Sequence, residues 1–282
     1  MEYFNFNGKT FEKNTPVIGP ENRSFRYGDG LFETFKFKNE KIILAEQHFN
    51  RLWAGMKKMQ FDIPVHFTRD ILTDQIIQLI KKNKAEHARI RLSIFRGDGG
   101  IYDPVNHLPN YIIQCWPLAN PANDLNENGL HVCIYRDAKK SMDTFSNLKH
   151  NSYLPYFMAA LFAKKTKCND AIILNSAERI CDSTIANIFL VKNNVIKTPS
   201  LEEGCIAGVM RNCIIETLAA NQITVSEEAV SQTELLEADE VFLSNSILNI
   251  KWISRLENKQ LGMTKIQEIY QLLTQTNPEV FC

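Results

Sequence analysis

Hydrophobic and polar positions alternate at the start of the chain and then change period. Phe4 and Phe6 alternate with polar neighbours, Asn7-Gly8 suits a type I′ turn, and Thr10-Phe11 begins a return, so the first expected element is a hairpin. A second strand pair is expected over Gly30 to Lys38 and Lys41 to Leu44, turning at Asn39-Glu40. From Ala45 to Met59 the period becomes helical, with Phe49, Leu52, Trp53, Met56 and Met59 on one face. Another helix is expected over Arg69 to Asn83, with Ile71, Leu72, Ile76, Ile77 and Leu79 as its apolar set. Ala88 to Phe95 and Tyr111 to Trp116 read as paired strands joined by the long loop Arg96 to Asn110.

Periodicity then lapses. Pro117 to Asp124 carries prolines and asparagines and no apolar repeat, which marks a linker. Beyond it the pattern predicts a strand at Leu130 to Tyr135 and a helix capped by Ser152, bearing Tyr153, Phe157, Leu161 and Phe162. A strand Ala171 to Leu174, a hairpin Ala186 to Lys197 turning at Asn193-Asn194, and a helix Val209 to Ala220 follow. Strands near Val225 and over Val241 to Ser244 precede a final helix, Thr264 to Thr276. The pattern as a whole predicts an α+β protein of two domains: 1–118, a linker 119–126, and 127–282, with Lys149 early in the second.

Bulk composition narrows the class. At 44% hydrophobic and 23% charged residues, the chain can bury a sizeable core. Lys+Arg and Asp+Glu are both 32, so the net charge is zero, which argues against broad electrostatic binding to nucleic acid or an anionic membrane. The seven cysteines are odd in number and form no CxxC, which suits free thiols in a reducing compartment. No signal peptide and no stretch long enough to span a bilayer is visible, so a cytoplasmic protein is expected.

Candidate chemistry is carried by residues in order. Lys149 lies in a polar stretch, Asp143 to Ser152, where a lysine is ordinarily a solvated charge. Asp182, opening Asp182 to Phe189, is by itself a turn cap or surface acid. Gly208 precedes Val209-Met210-Arg211 at a helix start, where glycine can serve as a plain N-cap or leave free N–H groups for an anion. Ser244 and Ser246 end a strand, either as an ordinary loop or as hydroxyl donors. Arg51, beside the apolar face of its helix, either snorkels or pairs with a buried anion. Together, an amine, an acid, a helix N-terminus and a hydroxyl are what a protein needs to hold pyridoxal 5′-phosphate: the amine bonds the aldehyde, the acid pairs with the ring nitrogen, and the last two take the phosphate. A lysine in that role must be neutral to attack, which requires burial or a nearby cation.

The glycine-rich segments Tyr27 to Gly30 and Arg96 to Gly100 are neither GxGxxG nor GxxxxGK[ST], and they read as turns that let backbone come close to a ligand or another domain. HExxH, a cysteine–histidine cluster and GxSxG are all missing from the sequence, so zinc and serine-hydrolase chemistry have no support and no metal is expected.

The set resembles the fold-type-IV pyridoxal-phosphate enzymes, or class IV aminotransferases. The likeness is carried by Phe25 to Thr34, His48 to Leu52, Leu148-Lys149, Asp182 to Phe189, Gly208 to Arg211 and Ala238 to Phe242. It implies a small N-terminal α/β domain and a larger, β-barrel-like C-terminal domain with helices, similar to D-amino acid aminotransferase. It implies that Lys149 bonds the cofactor and shuttles the proton at the substrate Cα. By the same resemblance, Arg51, the Val209 and Met210 amides and Ser246 hold the phosphate, Ile206 packs on the ring, and Asp182 pairs with the ring nitrogen. Tyr27, Thr34 and Arg96 become candidates for the substrate pocket, the substrate a small molecule with an amino group, and the active form a homodimer. One departure stands out: the family usually has glutamate where Asp182 stands, one methylene longer. The segments Tyr27 to Thr34, Arg96 to Gly100 and Gly208 to Arg211 look more like 4-amino-4-deoxychorismate lyase, which yields 4-aminobenzoate and pyruvate, than like the branched-chain aminotransferases. An amino-acid transaminase of branched-chain or D-amino acids is the alternative, and a non-catalytic cofactor-binding protein is a third.

Overall fold

The computed structural model describes residues 1–118 and 125–281. The chain divides into two compact units, Met1–Pro121 with Lys149–Ser152, and Ala122–Leu148 with Tyr153–Cys282. Residues 119–124 of the expected linker lie outside the described residues.

The first unit is built on a six-stranded sheet. Its strands are β1 (Tyr3–Phe6), β2 (Lys9–Glu12), β3 (Gly30–Lys38), β4 (Lys41–Ile42), β5 (Ala88–Phe95) and β6 (Asn110–Pro117), in the order β2-β1-β6-β5-β3-β4. The helices are α1 (Arg23–Tyr27), α2 (Ala45–Lys58) and α3 (Arg69–Lys82). The first hairpin turns with positive φ at both Asn7 and Gly8, as a type I′ turn requires. Helix α2 buries Phe49, Leu52 and Met56. Helix α3 buries Leu72, Ile76, Leu79 and Ile80, while Ile71 is exposed, so the apolar stripe lies one position further round than periodicity placed it.

The second unit holds a nine-stranded sheet. Its strands are β7 (Leu130–Lys140), β8 (Asp170–Asn175), β9 (Ile180–Ser183), β10 (Asn187–Lys192), β11 (Val195–Pro199), β12 (Val225–Glu228), β13 (Glu240–Asn245), β14 (Asn249–Leu256) and β15 (Lys259–Gln260). The path runs β12-β11-β10-β13-β14-β7-β8-β9, with β15 paired to β14. Helices α4 (Leu154–Lys165), α5 (Val209–Ala220), α6 (Gln232–Glu237), α7 (Thr264–Thr276) and α8 (Pro278–Phe281) accompany it. An apolar core gathers Val132, Ile134, Ile172, Ile188, Leu243 and Ile253 among others. No helix among the described residues is long and apolar enough to cross a membrane.

Three local expectations change. Strand β7 runs on past Tyr135 to Lys140, with a register shift against β8 between Tyr135 and Lys139. Ser152 does not cap α4; Tyr153 holds the N-cap position without a side-chain bond. The face of α4 is also rotated: Tyr156, Ala159 and Ala163 are buried, whereas Phe157 and Leu161 are exposed. The helix is apolar nearly all round, so periodicity had little contrast from which to choose a face.

Candidate active site

Lys149 belongs to the first unit's sheet rather than to the second unit, where the sequence placed it. The Phe32 N–H donates to Lys149 O at 2.9 Å, the Asn151 N–H donates to Gly30 O at 2.9 Å, and Leu31 bridges His150 in antiparallel sense. Gly30 makes this approach possible. A Cβ there would lie 2.5 Å from Ile94 O and 2.6 Å from Asn151 Nδ2. The glycine thus admits the segment Lys149 to Asn151. The half-buried Lys149 side chain carries its ammonium over the Phe32 ring, 4.7 Å from the centroid, and the Arg91 guanidinium lies 3.6 Å from the same centroid.

Glu33, next along β3, points to the other face and meets α2. Its Oε1 accepts from Arg51 Nε at 2.7 Å, and its Oε2 accepts from Arg51 Nη2 at 2.6 Å. His48 Nδ1 lies 2.7 Å from Oε2. Burial by itself pushes the Glu33 carboxyl up, but the charges of Arg51 and His48 and their hydrogen bonds outweigh it and bring the pKa down to about 2. Burial pushes the His48 imidazole down, against a partial pull upward from Glu33. Of the two readings of Arg51, the structure shows a pairing with a buried anion. Glu33, the residue after Lys149's partner Phe32, was not singled out from sequence; its signal was an acid among the phenylalanines of β3.

Tyr27 is partly exposed at the end of α1, with the guanidinium groups of Arg23 and Arg26 over its ring at 5.6 and 5.1 Å. Thr34 is half-buried on β3 opposite Arg91. Arg96 is buried and engaged at all three nitrogens: Nη1 donates to Asp29 Oδ1 at 2.6 Å, Nε meets His107 Nδ1 at 3.2 Å, and Nη2 donates to Gln60 O at 3.1 Å and to Met59 O. Its guanidinium also stacks on Phe61, and Arg23 Nε takes the other Asp29 oxygen at 2.8 Å. This geometry makes Arg96 a brace between loops.

The second unit holds Asp182, buried on β9 rather than in a turn, with 2% exposure. Its Oδ2 accepts from Lys140 Nζ at 3.1 Å, Tyr156 OH at 2.7 Å and the Ile206 N–H at 3.0 Å. Its Oδ1 accepts from Asn187 Nδ2 at 2.9 Å, and the same amide donates to Ile206 O at 2.9 Å. Such a set of donors fixes the carboxylate in place. Lys140, Tyr156 and Asn187 were not singled out from sequence. Asn187 stood within a recognised motif, but Tyr156 was hidden by the misplaced face of α4 and Lys140 by the early end drawn for β7.

Gly208 is the N-cap of α5, in extended conformation and without a side-chain cap, and it leads into the buried Val209 and Met210. Helix N-termini of this kind, with first-turn N–H groups uncapped, favour an anion. Ser244 is paired with Asn187 across β13 and β10, and its buried Oγ has no hydrogen-bond partner among the described residues. Ser246 is half-buried just beyond β13. A Cβ on Gly208 would fall 1.8 Å from Asn187 Oδ1. Gly208→Ala should therefore displace the amide that holds Asp182, lowering stability by about 1–3 kcal/mol and weakening cofactor uptake. Gly262→Ala, whose new methyl meets nothing closer than 3.5 Å, is the control. Denaturant midpoints of the two variants check this, and equal midpoints would refute it.

Comparisons with known proteins show what the chain is similar to. The family model for amino-transferase class IV matches residues 30–256. An aminodeoxychorismate lyase of Vibrio harveyi is 30% identical over 84% of this chain and 88% of its own length. A D-alanine aminotransferase of Listeria innocua is 26% identical over 91% of this chain and 88% of its own. The crystal structure of the Escherichia coli branched-chain amino acid aminotransferase superposes with a TM-score of 0.85 at 25% identity, covering 96% of this chain and 92% of that one.

An α+β enzyme with a buried acid, an uncapped helix start and a lysine on a sheet edge is thus the class of molecule in view. The chain belongs to the class IV aminotransferase family, whose members are pyridoxal-phosphate-dependent aminotransferases and lyases. The residues present fit that cofactor. Asp182 keeps one oxygen with a single donor, the buried Ser244 hydroxyl has no partner among the described residues, and the start of α5 carries no side-chain cap.

Proposed function

We propose that the protein is a 4-amino-4-deoxychorismate lyase, releasing 4-aminobenzoate and pyruvate, and that it works as a homodimer. The observation that carries the reading is the 30% identity with an aminodeoxychorismate lyase over 84% of the chain. The lyase-like segments Tyr27 to Thr34, Arg96 to Gly100 and Gly208 to Arg211 support it, with Met210 where transaminases of the family more often carry threonine. When bound, pyridoxal phosphate supplies an electron sink for the electrons released at the substrate Cα. Lys149 bonds its aldehyde and moves the proton at Cα. Arg51, the Val209 and Met210 N–H groups and Ser246 hold the phosphate. Ile206 packs on the ring, Asp182 pairs with the ring nitrogen, and Tyr27 and Thr34 face the substrate.

The test is one comparison of kcat/KM, which measures differential transition-state binding. Formation of 4-aminobenzoate and pyruvate from aminodeoxychorismate is expected to exceed amino transfer from glutamate or D-alanine to a keto acid. Rapid amino transfer with no 4-aminobenzoate formed would move the protein to the transaminase branch. Sedimentation at micromolar protein should give about twice the 32.4 kDa chain mass, and a fully active monomer would refute the dimer.

A further inference from the structure

Asp182 does not act alone, and its partners are unequal. A carboxylate has about four lone-pair sites, two on each oxygen. Oδ2 already meets three donors, from Lys140 Nζ, Tyr156 OH and the Ile206 N–H, whereas Oδ1 meets Asn187 Nδ2. Oδ1 is therefore the oxygen with capacity for another donor. Lys140 is 5% exposed and reaches this position because β7 continues through its register shift to deliver it beside β9.

The electrostatics single out the same residue. The phenol and the thiols that face the carboxylate are disfavoured as anions. Burial and the Asp182 charge push the Tyr156 phenol and the Cys181 thiol, 4.0 Å from Oδ2, well up, and burial and the same charge push the Cys205 thiol to about 12. Lys140 is the basic side chain that pairs with the Asp182 carboxylate, and its Nζ also lies 5.2 Å from the Tyr156 ring centroid.

We propose that Lys140 is a positioning residue for Asp182: it clamps Oδ2, leaves Oδ1 to accept from the cofactor's ring nitrogen, and as a counter-charge loosens the hold on that nitrogen's proton. The role rests on the functional reading above. It also gives the shorter acid a physical setting. Aspartate in place of the family's usual glutamate stands on a carboxylate that four protein donors fix in place, so its reach is set by those donors and not by a flexible stem. A lysine and a ring nitrogen that share one carboxylate compete for its negative charge. Taking the lysine charge away lets the ring nitrogen keep its proton to higher pH, by roughly one unit or more for charges this close.

Apo-proteins of the wild type, Lys140→Met and Lys140→Arg are reconstituted with pyridoxal phosphate carrying ¹⁵N in the ring. The ¹⁵N shift is then followed across the pH range in which each stays folded. Lys140→Met should move the signal toward the protonated limit and raise its midpoint by about one pH unit or more, and Lys140→Arg should restore the wild-type curve. The same ring-nitrogen signal in wild type and Lys140→Met overturns the proposal, because a merely structural ion pair would change melting and not this titration. Melting of the apo-proteins supplies a second reading: Lys140→Met and Asp182→Asn should be strongly non-additive when combined, since removing both charges leaves neither one buried alone. Additive losses also overturn it. Wild-type apo-protein that takes up no pyridoxal phosphate defeats the functional reading itself. Uptake with an unresponsive ring nitrogen defeats only the role of Lys140.

Discussion

Lys149→Ala should leave a folded protein whose turnover falls by about 10²–10⁴-fold or more, the range for loss of a positioned proton-transfer group, here with the covalent anchor lost as well. The backbone at this position is held by main-chain hydrogen bonds to Phe32 and Gly30, which do not depend on the side chain. The side chain is half-buried, so its removal opens no core cavity. Two measurements separate chemistry from folding. The melting temperature should stay close to that of the wild type. Borohydride treatment of the yellow wild-type protein should fix the cofactor on the Lys149 peptide, and the variant should carry no such label. Label on another lysine, or full turnover by Lys149→Ala, would sink the assignment.

Glu33→Gln is expected to cost on the order of 3 kcal/mol of stability at neutral pH, from a carboxyl brought from 4.5 to about 2 by folding. That figure lies within the range of about 3–5 kcal/mol for breaking a buried ion pair by removing one partner. The sign follows from linkage. A carboxylate whose pKa is lower in the folded state contributes its full stabilisation above the unfolded value, and loses it as the pH falls through the folded one. Wild-type protein should therefore shed this contribution between about pH 4.5 and 2, and the variant should be flatter across that window. Unfolding midpoints at a series of pH values check both parts. Because Glu33 also fixes the plane of Arg51 through two hydrogen bonds, the variant should bind phosphate-bearing cofactor more weakly. Unchanged stability would mean that Arg51 and His48 find equal partners elsewhere.

Much of this protein was legible one element at a time. The hairpin at Asn7-Gly8, strand β3, helices α2, α5 and α7, and the turn at Asn193-Asn194 were readable because each is specified by residues a few positions apart. Turn chemistry and side-chain period are local properties. The motifs around Lys149, Asp182 and Gly208 were readable for a different reason: their order along the chain matches a family, and the family model covers residues 30–256.

Where no local contrast existed, the reading failed. Helix α4 is apolar on most sides, so the burial of Tyr156 rather than Phe157 had to come from what packs against it. Strand β9 is too short for its alternation to register, yet it is the element that carries Asp182. The partners of Arg96, Asp29 and the carbonyls of Met59 and Gln60, are likewise visible only in the folded unit.

By itself, then, the sequence determined the class of elements, the family and the cofactor chemistry, and it proposed the lysine, the acid and the helix start. The tertiary structure alone decided that Lys149 pairs with β3, that Glu33 braces Arg51, and that Lys140, Tyr156 and Asn187 converge on Asp182. The physical reason is range. Periodicity and capping report on interactions across one or two turns, whereas the charge and hydrogen-bond partners of a buried group come from elements far apart in sequence, and only their packing sets who meets whom.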